Sequence, residues 1–158
     1  MRSTTRRPDG NETFVQNGWV RAGEHRLATT TNNLLHQKST LLEPILSMRA
    51  SDVTPMPRGR FVEVVIPLYY EGHAYRAGSR IRVTISAPNG TQPIWSFSQT
   101  APKGTARVSV AFSKNMPSSL ILPVVPGVSV PTGLPACPSL RNEPCRPYVA
   151  GVNNTASN

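Results

Sequence analysis

Any reactive site in this chain of 158 residues must be assembled from three histidines, eight acids, two cysteines and its hydroxyl residues. A hydrolase serine of the α/β type sits on a sharp Gly-x-Ser-x-Gly turn between strand and helix, and that motif does not occur here. Ser79 follows Gly78 but leads into Arg80 and Ile81, so it reads as the serine at the start of a strand. His25, His36 and His73 are widely separated, with no i,i+4 pair and no carboxylate cluster beside them, which is not metal-ligand spacing. His73 lies in a compact connection between Gly72 and Gly78, where packing or domain contact is a better account than catalysis. The acids Asp9, Glu12, Glu24, Glu43, Asp52, Glu63, Glu71 and Glu143 are scattered singles, and no pair suggests general acid–base work. Ala77-Gly78-Ser79-Arg80 lacks the helix and lysine of a phosphate cradle. The expectation is no catalytic residue, no metal site and no cofactor.

Cys137 and Cys145 stand eight positions apart, with Pro138 and Pro144 between them. Two thiols without a neighbouring histidine are too few for zinc. Two readings stay open: a disulfide that closes a small loop and ties down a proline-rich segment, or two free thiols in a reducing cytoplasm.

Charge and composition set the class. The formal net charge is +9, yet the bases are spread from Arg2 to Arg146 and only Arg6 and Arg7 are adjacent. Without a basic helical run or basic–aromatic interleaving, nucleic acid is not the expected partner. Seventeen bases simply outnumber eight acids, or the basic surface faces an acidic partner domain. No apolar run is long enough for a membrane helix, and residues 1–8 lack the apolar core of a secretory signal, which leaves localisation undetermined. Sixteen prolines and eleven glycines disfavour long helices and suit short strands joined by turns.

The elements that would position these residues are strands. Residues 60–70 and 78–86 form the strongest pair, both rich in β-branched and aromatic side chains. In the second arm Ile81, Val83 and Ile85 alternate with Arg80, Arg82 and Thr84, which predicts a buried apolar face and a wet basic one. Residues 1–10 read as polar and turn-like, ending in the turn Pro8-Asp9-Gly10. Residues 12–16 and 19–22 read as strands about an Asn17-Gly18 hairpin turn, with Trp19 as a core anchor. Residues 23–40 read as a long surface loop with Leu34, Leu35, Leu41 and Leu42 as anchors in and just beyond it, and residues 43–50 lean to strand. Further strands are expected at 93–98, with Trp95 and Phe97 on one face, at 106–112, and at 119–125, the last an edge strand because of Pro123. Turns are expected at Pro88-Asn89-Gly90 and Pro102-Lys103-Gly104. Strands separated by turns every 8–12 residues predict an all-β antiparallel sandwich or jelly roll over residues 1–125. A proline-rich tail follows over 126–158, frayed at its end.

The run from Asp9 to Ala22, which includes Phe14-Val15-Gln16-Asn17-Gly18-Trp19, resembles part of the C-terminal domain of Xaa-Pro dipeptidyl-peptidases and cocaine-esterase-like (CocE/NonD) hydrolases. So do Tyr75-Arg76-Ala77-Gly78-Ser79-Arg80-Ile81-Arg82-Val83-Thr84-Ile85, the Pro88-Asn89-Gly90 and Pro93-Ile94-Trp95 pair, and the run from Ser118 to Gly127. The segment from Cys137 to Tyr148 resembles the ending of a bacterial subgroup. The resemblance implies a galactose-binding-like jelly roll that packs on an α/β-hydrolase catalytic domain bearing the Ser-His-Asp triad. None of the triad falls in the jelly roll, so this chain is expected to be inactive alone, and its jelly roll to be incomplete at the N-terminus. The partner implied is the hydrolase domain. The rival expectation is a free-standing binding module for carbohydrate or protein, with Tyr69, Tyr70, Trp95 and Phe97 as an aromatic face.

Overall fold

Pro8, Asp9 and Gly10 turn the chain as their types predict, but the strand before them was not expected. The computed structural model describes residues 2–86, 108–136 and 145–150. In it the supposedly turn-like N-terminus is strand β1 (Arg2–Arg6), paired antiparallel with β2 (Asn11–Asn17). The loop between them is closed by Arg7 N–H donating to the Asn11 carbonyl at 2.7 Å and Gly10 N–H donating to the Arg7 carbonyl at 3.1 Å. Gly10 has φ +84°, the left-handed conformation that a three-residue hairpin loop needs at its last position and that glycine adopts without steric cost.

Two further strands complete one antiparallel sheet, β3 (Arg80–Thr84) and β4 (Arg146–Pro147), in the order β3-β1-β2-β4. The only helical turns among the described residues are 3-10, at Ala22–Glu24 and Ala50–Asp52. The described residues are therefore all-β. The chain divides into two compact units. One comprises Met1–Asn17, Tyr69–Ile85 and Gly127–Asn158; the other comprises Gly18–Leu68 and Ser86–Pro126.

The first unit holds the sheet. The arm at 78–86 is a strand as expected, but its partner is β1, with Arg6 opposite Arg80 and Arg2 opposite Thr84. Residues 61–76 form no strand. β-Branched content fits a pleated surface without selecting a partner, and β1 occupies the edge that residues 60–70 were expected to fill. The alternation along β3 is real, but the expected burial of its apolar face is not: every residue of the strand is exposed except the half-buried Arg82. Ile81, Val83 and Ile85 are 44%, 39% and 44% exposed, while the basic side carries Arg82, drawn in by Glu12 at 3.1 Å. In β2, Phe14 and Val15 are buried beside Thr13, Gln16 and Asn17. The β1–β2 register shifts between Ser3 and Thr4, so that Gln16 pairs with Ser3 and Phe14 with Thr4. Val15 is the extra residue of this bulge. Thr5, also buried, donates its hydroxyl to the Arg80 carbonyl at 3.3 Å.

Among its described residues the second unit is held mainly by irregular backbone. Leu27 and Leu46 form an isolated antiparallel bridge, flanked by Ala28 N–H to the Ile45 carbonyl at 2.8 Å and Ser47 N–H to the Arg26 carbonyl at 2.9 Å. Ala28 and Ile45 are buried there. The lean to strand over 43–50 thus reduces to one bridge. The loop expected at 23–40 is a loop, knotted by Asn33, whose side chain donates to the carbonyls of Thr30 at 2.8 Å and Gln37 at 2.6 Å. Leu34, Leu35, Leu41 and Leu42 do not anchor it and are all exposed. Trp19 is half-buried, and residues 19–22 are not a strand. Gly18 makes no hairpin turn; it faces the Pro67 carbonyl so closely that a Cβ would lie 1.9 Å from the oxygen. Residues 108–112 and 119–125 form no strand, and in the latter Pro123 has no N–H to give a ladder. The expected turns at 88–90 and 102–104, the strand at 93–98 with Trp95 and Phe97, residues 106–107, Cys137 and the tail end at 151–158 lie outside the described residues.

Candidate functional site

Among the described residues no triad is assembled, and no three His, Cys, Asp or Glu side chains come close enough to hold a metal ion. His25 is held locally, its Nδ1 2.6 Å from the Ala22 carbonyl oxygen, so that nitrogen carries the proton and donates. His36 closes the 23–40 loop through its backbone, its N–H donating to the Asn33 carbonyl at 3.0 Å. Ser79 sits in the turn before β3, its backbone N–H bonded to the Arg76 carbonyl at 3.0 Å, behind Gly78 at φ +79°. Nothing in this turn activates a hydroxyl.

His73 is half-buried and meets Tyr75 edge-on, with ring centroids 4.6 Å apart at 67°. Burial disfavours the imidazolium and pushes its pKa below the ordinary 6.5; the Arg76 charge pushes the same way, and Glu71 opposes both. The sign of the pH effect follows. Below about pH 6.5 the unfolded chain binds this proton more readily than the folded one, so acidification through that window destabilises the fold. Above the window the group contributes no slope. The urea midpoint should fall between about pH 7.5 and pH 5.5, and His73→Gln should flatten the fall. An unchanged slope in the variant would assign the effect to other groups.

The sheet brings together residues that the sequence leaves far apart. Arg80, Arg6, Glu12 and Arg146 lie opposite one another across β3, β1, β2 and β4. Directly opposed residues share a face of the sheet, so three arginines and one glutamate form a row. Arg82, two positions beyond Arg80, pairs with Glu12 at 3.1 Å and also donates to the Val149 carbonyl. Tyr148 receives the guanidinium of Arg82 at 4.3 Å and of Arg6 at 4.7 Å from its ring centroid, within cation–π range. The backbone N–H of Tyr148 donates to the Gly10 carbonyl at 3.0 Å. The C-terminal segment is thereby fastened to the hairpin at the far end of the chain.

Arg7 fastens it a second time. Its side chain is buried and donates to the Pro135 carbonyl at 2.9 Å, approaches the Cys145 sulfur at 3.9 Å and pairs with Asp9 at 3.0 Å. Asp9 in turn accepts from the backbone N–H of Asn11 at 3.0 Å. That hydrogen bond, with the Arg7 charge, holds the Asp9 carboxyl below its ordinary pKa. Arg76 donates to the Gly133 carbonyl at 3.2 Å. In the sequence the bases are spread from Arg2 to Arg146, with only Arg6 and Arg7 adjacent. The available signal was the period-two placement of Arg80 and Arg82 together with the fixed offset of Arg6 and Glu12 about the Pro8-Asp9-Gly10 turn.

The arrangement positions charge and backbone. No helix among the described residues is long and apolar enough to cross a membrane. No curated protein and no solved structure matches the chain. The profile of one family does match, over residues 4–121, and that family is described as the X-Pro dipeptidyl-peptidase C-terminal non-catalytic domain. Its span takes in the second half of β1, all of β2 and β3 and most of the second unit, and the chain belongs to the X-Pro dipeptidyl-peptidase C-terminal non-catalytic domain family.

Proposed function

We propose that this chain works as the non-catalytic C-terminal domain of a serine α/β-hydrolase of the Xaa-Pro dipeptidyl-peptidase or acyl-esterase type. It packs on the catalytic domain and helps shape that domain's site. Residues 1–125 make up the jelly-roll-like body and residues 126–158 the proline-rich tail, with Cys137 and Cys145 bonded to each other to hold the tail. The acyl-transfer chemistry belongs to the partner domain's serine.

One observation carries this reading beyond the family match. Among the described residues the buried apolar side chains are Phe14, Val15, Ala28 and Ile45 alone, while Ile81 and Val83 on β3 and Ile85 just after it are exposed. Contiguous exposed apolar surface of this kind marks an interaction site, and a surface that docks on a hydrolase domain would cover it.

The test uses the catalytic domain of an X-Pro dipeptidyl-peptidase stripped of its own C-terminal domain. The chain should co-elute with it in size-exclusion chromatography, and I81D/V83D should abolish the complex. The chain alone should not turn over a generic aryl ester. Serine-inhibitor-sensitive turnover by the chain alone, or failure to form the complex, overturns the reading. The exposure of Tyr69 and Tyr70 favours a second reading, a carbohydrate-binding module. Retardation of the chain in a polysaccharide gel, lost in Tyr70→Ala, would select it instead.

A further inference from the structure

We propose that the sheet face bearing Arg6, Arg80, Arg82 and Arg146 is a docking surface for an acidic protein segment, whose carboxylates bridge the arginines. The inference goes beyond the hydrolase-domain reading and does not require that domain as the partner. It starts from the register. Arg6 lies directly opposite Arg80, and like charges in that position destabilise a sheet. The row contains one acid, Glu12, and it is engaged by Arg82 at 3.1 Å. Among the described residues neither Arg80 nor Arg146 has a side-chain hydrogen bond or ion pair, and both are exposed. Among the described residues four guanidinium groups stand against one carboxylate, which leaves an excess of positive charge on this face of a chain whose formal charge is already +9.

The chemistry of that face selects carboxylates. Guanidinium forks bind carboxylate bidentately. The row crosses four adjacent strands, so Arg80 and Arg146 are separated by about 14 Å at about 4.8 Å per strand. An extended acidic segment rising about 3.3 Å per residue covers that distance in about five residues. Single-stranded nucleic acid would need aromatic platforms on which bases stack; of the described aromatics on this face, Phe14 is buried and Tyr148 already carries the guanidinium groups of Arg6 and Arg82.

The test is binding of fluorescein-labelled poly-L-glutamate to the full chain at low salt, read by anisotropy. The wild type should bind, and R80E/R146E should bind roughly tenfold or more weakly. R58E/R60E makes the same change in net charge at two exposed arginines that belong to no strand of the sheet, and should weaken binding less than about twofold. R80Q/R146Q replaces the reversal pair if its far-UV circular dichroism shows that R80E/R146E is unfolded. Absence of binding, or equal losses in the two reversal pairs, overturns the proposal. An oligothymidylate of matched charge that binds as tightly as polyglutamate and loses affinity in the same variants also overturns it, in favour of a nucleic-acid face.

Discussion

Gly18→Ala should destabilise the protein by about 3 kcal/mol, near the upper end of what forced overpacking costs. The alanine Cβ would lie 1.9 Å from the Pro67 carbonyl oxygen, 2.9 Å from its carbon and 3.1 Å from Leu68 Cδ2. A flexible side-chain tip can swing away from such a clash, but a backbone carbonyl cannot move without shifting the chain on either side. Against a total stability of about 5–15 kcal/mol for a domain of ordinary kind, the loss should appear as a clear drop in urea midpoint. Gly72→Ala is the matched control, since its added Cβ meets nothing within 4 Å; it should change stability by less than about 0.5 kcal/mol. Equal effects from the two substitutions would show that Gly18 is not held against Pro67.

Arg7→Ala should have the second-largest effect, about 2–3 kcal/mol, and a local signature as well. Arg7 is the buried base that joins the hairpin turn to the C-terminal segment, through Asp9 on one side and the Pro135 carbonyl and Cys145 sulfur on the other. Hydrogen bonds involving a charged group contribute about 1.5–3 kcal/mol each, and the loss here is moderated because Asp9 retains access to water. Limited proteolysis should cut the variant first in its C-terminal segment, well before the hairpin. Arg26→Ala, which removes the exposed Arg26–Asp52 pair at 3.4 Å, should cost at most about 0.5 kcal/mol and leave the cleavage pattern unchanged. If the Arg7 and Arg26 variants are cut alike, Arg7 does not hold the segment.

What could be read from the sequence was local. Pro8-Asp9-Gly10 specified a turn, residues 12–16 a strand and residues 80–84 an alternating strand, and each is present because its cause lies within a few residues. Partners were not legible. Nothing in Arg2-Ser3-Thr4-Thr5-Arg6 announces a central strand; it becomes one because β2 and β3 take its two edges. The expected burial of the apolar face of β3 fails for a related reason. Apolar alternation tells that two faces differ, but what covers either face comes from elsewhere in the chain, and only Arg82 is drawn in, by Glu12 and Tyr148. The candidate site was least visible of all. Arg6, Arg80, Arg82 and Arg146 look dispersed along the sequence until the strand register lines them up.

The strand order β3-β1-β2-β4 bears on how the chain is made. The β1–β2 hairpin is complete once Asn17 has been synthesised, yet the strands that cover its two edges end at Thr84 and Pro147. At about 5–20 residues per second on the ribosome, the hairpin waits several seconds for its first neighbour and about as long again for its second. Both edges stay open until the first neighbour arrives, and one stays open until the second, beside other nascent chains. Translation speed between these segments, and the supply of chaperones that shield strand edges, should therefore govern soluble yield more strongly than the stability of the finished domain.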